Sequence, residues 1–190
     1  MIALHLRPTL HLTDELFEQL CRQNPDLRLE RTAQGDLIAM PPAGSESGYR
    51  NADLLGQLWQ WNRQMRLGVV FDSSTGFTLP NGAIRSPDAA WIEQSRWDAL
   101  TPDQRRKFAP ICPDFVLELK SPTDDWAVLR AKLQEYIDNG AQLGWLINPE
   151  TRQVEVYRPG QPPQQLEQPS TLSGELVLSG FVMDLTLIWE

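Results

Sequence analysis

Apolar and polar positions change period several times along this chain, and each change predicts an element. Residues 14–23 place Leu16, Phe17 and Leu20 on one side of a short helix, capped by Thr13, with Asp14 and Glu15 in its positive first turn. Asn24-Pro25 ends it. Residues 27–31 and 36–40 read as two strands of a hairpin around Gln34-Gly35. After a Pro-rich loop, residues 46–66 predict a long helix whose buried stripe is Leu54, Leu55, Leu58, Trp59 and Met65. Short strands follow at 68–71, 75–79 and 84–92, with Pro80-Asn81-Gly82 turning between the last two. Residues 95–107 predict a helical excursion whose second turn opens at Thr101-Pro102-Asp103.

The stretch 113–122 is the centre of the pattern. Phe115, Leu117 and Leu119 alternate with Val116, Glu118 and Lys120, so Glu118 and Lys120 project from the same face of one strand. So apolar a strand belongs inside a sheet, and Pro122, without an N–H, ends the ladder. Beyond it, residues 126–139 predict a helix lined by Val128, Leu129, Leu133, Tyr136 and Ile137, with Gly140 just past its end. Strands at 143–148 and 153–158 come next, then a Pro- and Gln-rich exposed loop at 159–170 and further strands within 175–189. The order predicts one α/β domain over residues 1–190, a mixed central sheet flanked by helices with additional N- and C-terminal strands.

Composition narrows what such a domain does. At 190 residues and 41% hydrophobic, the chain can bury a core. A net charge of −8 argues against an indiscriminate DNA or membrane binder but leaves room for local, metal-assisted contacts to nucleic acid. The two cysteines, Cys21 and Cys112, lack metal-ligand spacing, and the N-terminus has no signal-peptide pattern; both features predict a reduced, cytoplasmic protein. The two histidines, His5 and His11, lie in the N-terminal flank, which disfavours a His-based triad or a His- and Cys-rich zinc site. Arg105, Arg106 and Lys107 form the one compact basic cluster, read as a solvated helix end with phosphate contact as the rival.

An acid and an amine at a buried strand end suit a site in which a metal is bound and a lysine handles a water. Glu118 supplies one ligand. Asp114 shares its face but stands roughly 13 Å away at strand rise, and reads as a strand-start or surface residue. Asp88, after Pro87, is the better partner: if its strand pairs with 115–120, the two carboxylates meet at roughly 5 Å. Lys120 then stands beside the water. Taken singly, each residue has a plainer reading: Asp88 as a turn cap, Glu118 and Lys120 as a strand-end ion pair, Lys132 as a partner of Glu135 or Asp138 on its helix.

Pro87-Asp88 and Glu118-Leu119-Lys120 together resemble the two halves of the PD-(D/E)XK nuclease signature. The wider stretches SPDAAWI, PDFVLELKSPTD, KLQEYIDNGAQLGWLINPETRQVEVYRPG and LSGELVLSGF look like the Uma-type family of restriction-endonuclease-like proteins, over roughly residues 10–190. That resemblance implies a restriction-endonuclease-like core and hydrolysis of DNA with Mg²⁺ or Mn²⁺. It implies Asp88 and Glu118 as catalytic metal ligands, Glu46 as a further metal ligand and Lys120 as the catalytic lysine. Where relatives carry a histidine after the acid, this chain has Ser47. Lys132 and Tyr136 resemble a Gln-x-x-x-Tyr element, with lysine for glutamine, and would position substrate or the site carboxylates. A homodimer is expected because a symmetric duplex suits a two-fold enzyme. The rival expectation is a catalytically inactive interaction module on the same fold.

Overall fold

In the computed structural model, which describes residues 2–7 and 9–190, Phe115–Leu119 is buried along its whole length and lies inside a six-stranded sheet. In chain order the elements begin with β1 (Ile2–Leu4), α1 (Asp14–Gln23), β2 (Arg28–Arg31), β3 (Leu37–Met40), α2 (Ser45–Met65) and β4 (Gly68–Asp72). They continue with β5 (Phe77–Thr78), β6 (Ile84–Arg85), β7 (Ala89–Glu93), α3 (Gln94–Asp98), α4 (Pro102–Arg105), β8 (Phe115–Leu119) and α5 (Trp126–Asp138). The rest are β9 (Leu143–Asn148), β10 (Gln153–Tyr157), β11 (Gln164–Glu167), β12 (Thr171–Ser173) and β13 (Val182–Asp184), with a 3₁₀ turn at Thr186–Ile188.

The larger sheet runs β11-β10-β9-β8-β7-β4, and the smaller runs β1-β3-β2-β6-β5. The β8–β9 pair is parallel and its neighbours are antiparallel, so the sheet is mixed. The β8-to-β9 crossover is made by α5, as a parallel pair requires. Asp125 caps α5 by accepting from Ala127 and Val128 N–H.

Alternation on β8 sorts the core into two layers. Phe115, Leu117 and Leu119 pack with Trp145 and Ile147 under α2 and the C-terminal segment. Val116 packs with Ala90, Ile92 and Leu146 under Leu129, Leu133 and Tyr136 of α5. Glu118, two residues on, is therefore carried to the α5 side. Gly68 is needed where β4 meets β7: a Cβ there would lie 2.2 Å from the Ile92 carbonyl oxygen.

Several expectations change. The strand expected over 84–92 is two strands in two sheets, broken at Ser86-Pro87-Asp88 because Pro87 has no ladder donor. Strand 75–79 shortens to Phe77–Thr78. The exposed loop at 159–170 contains β11, an edge strand whose Gln side chains stay in water while its backbone pairs with β10. Within 175–189 only Val182–Asp184 is a strand; it pairs with β12, and Leu178 and Phe181 turn into the core. On α2, Trp59 and Met65 are exposed and Trp61 is buried instead, since Leu54, Leu58 and Trp61 continue one face at steps of four and three. No helix among the described residues is long and apolar enough to cross a membrane.

Candidate active site

The break at Pro87 is what creates the site. It leaves Asp88 at the seam between the sheets, one residue before β7. The register Ala89↔Leu117 and Ala90↔Val116 makes Glu118 the residue opposite Asp88 at the next step. Asp88 Oδ2 accepts from the Leu119 N–H at 2.9 Å, and Arg28 Nη2 is 3.9 Å from Oδ1. Burial raises the Asp88 carboxyl above the usual range, against the lowering pull of the Leu119 N–H, Lys132 and Arg28.

Glu118 ends in a buried chain of alternating charge. Lys132 Nζ from α5 stands 2.7 Å from Glu118 Oε1, 2.8 Å from Glu30 Oε1 and 3.2 Å from the Ser86 carbonyl oxygen. Arg85 then joins Glu30 to Glu135, with Nη1 3.1 Å from one and Nε 2.6 Å from the other. Glu30 Oε1 also accepts from the Ser86 N–H at 2.9 Å. Glu118 Oε1 is buried, and the Lys132 ammonium is its close charged neighbour.

Counting charge explains the titration. Glu30 and Glu135 balance Arg85 and Lys132, so an ionised Glu118 is one negative charge too many in a dry place. Burial pushes its carboxyl up to about 8, although Lys132 pulls the other way. Burial also works against Glu30, but Lys132 and Arg85 outweigh it and hold that carboxyl below the ordinary range. Lys132 is disfavoured by burial yet raised by its two carboxylates, so it stays charged. Tyr136 lies under it, ring centroid 5.9 Å from Nζ, with a buried hydroxyl that has no partner among the described residues.

Lys120 has a different setting. Its Nζ lies 2.7 Å from Glu150 Oε2 and 3.1 Å from the Ser121 carbonyl oxygen, rather than on Asp88 or Glu118. It opens on a cavity of about 190 Å³ lined by Glu46, Arg50, Leu119, Lys120, Pro149 and Glu150. Glu46, in the first turn of α2, is exposed and paired with Arg50 at 2.8 Å. Asp88 and Glu118 are thus brought together, Lys120 and Glu46 share the neighbouring cleft, and Lys132 and Tyr136 lie beneath.

Glu30 was not visible in the sequence. In an isolated hairpin, the face of β2 opposite Leu29 would be wet; only the approach of the second sheet buries it. Asp114 is at the strand start, as expected, but is buried rather than at the surface, because Arg96 at 2.5 Å and the Glu93 N–H at 2.8 Å satisfy it. The basic cluster is a solvated helix end: Arg105, Arg106 and Lys107 face Asp98, Asp103 and Glu18. Lys132 pairs with neither Glu135 nor Asp138.

Among the described residues, no three Asp, Glu, His or Cys side chains converge into a ready-made metal cage. The Asp88–Glu118 pair nonetheless fits a hard divalent cation. Both donors are carboxylate oxygens, and the buried acids around them outnumber the cations that face them.

A family model described as "Uma2: Putative restriction endonuclease" matches residues 14–186. The crystal structure of "a putative nuclease belonging to DUF820" from Anabaena variabilis is similar, with a TM-score of 0.72 and 19% identity, over 85% of this chain and 89% of that one. No curated protein matches.

Proposed function

Since the chain belongs to the Uma2 family of restriction-endonuclease-like proteins, we propose that it is a divalent-metal-dependent endonuclease that hydrolyses DNA phosphodiester bonds. The observation that carries this reading is the placement of Asp88 opposite Glu118, one register step beyond Ala89↔Leu117, next to a lysine that faces a cleft. Mg²⁺ or Mn²⁺ held by these two carboxylates would polarise the phosphate and lower the pKa of a water.

The two lysines divide the remaining work by their free donors. The Lys132 ammonium is 5% exposed and surrounded by three acceptor oxygens, so it holds Glu118 and never meets substrate. Lys120 touches two acceptors at the cleft and has one N–H left for a phosphate oxygen or for the developing negative charge. We assign Lys120 as the catalytic lysine. Glu46, which lines the same cleft as Lys120, is the third acid. Glu118 must lose its proton to serve as a ligand, so at limiting metal the activity rises with pH. In this reading the chain is one domain, works in the cytoplasm and cuts as a two-fold dimer. Neutralisation of phosphate falls to the metal, Lys120 and Arg50, since the chain as a whole is acidic.

Plasmid and single-stranded DNA cleavage with Mg²⁺ or Mn²⁺, with a chelator and Lys120→Met as controls, tests the proposal. Cleavage abolished by both controls is expected. A folded protein inert with every metal would favour a non-catalytic interaction module, a reading to which the Glu150 contact on Lys120 also lends weight.

A further inference from the structure

We propose that Glu30 is a positioning residue which sets the spacing of Asp88 and Glu118 from beneath the site; this rests on the metal reading of that pair. Glu30 is fully buried on β2, in the smaller sheet, whereas Glu118 is on β8 in the larger one. One oxygen of Glu30, Oε1, acts in two directions. It accepts from the Ser86 N–H at 2.9 Å and it faces Lys132 Nζ at 2.8 Å. Lys132 in turn holds the Ser86 carbonyl at 3.2 Å and Glu118 Oε1 at 2.7 Å.

Both peptide groups of Ser86 are therefore clamped, and Ser86 is two residues from Asp88. Pro87 between them stiffens the link, because its ring fixes φ. The same ammonium that closes the clamp also fixes the Glu118 carboxylate. One buried carboxylate thus controls the placement of both proposed ligands, one through the backbone and one through Lys132. Arg85 secures Glu30 from the far side at 3.1 Å, so the clamp is tied to Glu135 on the surface of α5. Removing one member of a buried charge chain leaves its partners free to re-pair. Without Glu30, Lys132 turns to Glu118 alone and competes with a metal for it.

Glu30→Asp is the informative variant: it keeps the charge but withdraws the carboxylate by one methylene. Glu30→Gln removes the charge and keeps the length. Each is compared with the wild type by hydrogen–deuterium exchange and by calorimetric Mn²⁺ titration, well below its melting temperature. The expected result is faster exchange over residues 86–90 and 117–120 in both variants, with β10 unchanged, and Mn²⁺ affinity lower by roughly 10–100-fold. A merely structural Glu30 would lower the melting temperature and leave Mn²⁺ affinity and local exchange as in the wild type, and that result overturns the proposal. Wild-type affinity retained by Glu30→Asp would also overturn it, since charge alone would then suffice. If the wild type binds no Mn²⁺ while exchange responds locally as described, the clamp stands and the metal reading falls.

Discussion

Two lysines sit at the edge of the same pair of strands, and they have opposite fates. Lys132 is sealed under α5 between Glu30 and Glu118, with a backbone carbonyl as its third neighbour. Lys120 is at the mouth of a cleft, on an exposed Glu150 that solvent and substrate can displace. Both are cations beside carboxylates. What separates them is access: a buried ammonium with every acceptor in place can orient a neighbour, whereas one with a donor to spare can act on a phosphate. Lys132, not Lys120, is the lysine paired with Glu118, so proximity and access point to different lysines, and the proposed role of Lys120 rests on access.

The comparison breaks most completely if the carboxylates between the lysines are dispensable. Asp88→Asn and Glu118→Gln are expected to reduce cleavage to background while circular dichroism and melting remain those of a folded protein. Next come the lysines themselves. Lys132→Met strands Glu30 and Glu118 in a dry pocket and should cost roughly 3–5 kcal/mol in denaturant unfolding. Lys120→Met should change stability by less than about 1 kcal/mol, yet slow cleavage by roughly 10²–10⁴-fold. Equal stability losses in the two variants would erase the distinction.

pH sharpens the buried side. The Glu118 carboxyl is at about 8 in the folded chain, against roughly 4.3 when unfolded. Between those values the folded state binds the proton more tightly, so this stabilising contribution is full below the unfolded value and is lost as pH rises through about 8. Without metal, the melting temperature of the wild type should therefore fall relative to that of Glu118→Gln from pH 5 to pH 8.5, and Mn²⁺ should narrow the gap. The smallest effect is on the open side. Glu150→Gln releases Lys120 at a stability change under about 1 kcal/mol, and lower KM for DNA, with little change in kcat, is the expected kinetic mark.

Much of this was legible because local pattern and tertiary structure agree. Alternation from Phe115 to Lys120 put Glu118 on the correct face, and helix 126–139 and the strand at 143–148 followed from period and length. The pairing of Asp88 with Glu118 was readable from Pro87 and the central strand. Glu30 was not, since its burial depends on a second sheet closing over a hairpin that looks half-wet by itself. The partner of Lys132 was equally hidden: on a helix, Glu135 and Asp138 are near in sequence, but the side chain points across to β8 and β2. The place of Lys120 depended on Glu150 in the β9–β10 turn, thirty residues away, which no local rule connects to it.

Calorimetric titration of Mn²⁺ into the wild type, Glu118→Gln and Lys120→Met at pH 8.5 tests the central claim most directly. Binding is expected from the wild type and from Lys120→Met, and none from Glu118→Gln. Equal binding in Glu118→Gln, or no binding in the wild type, would contradict it.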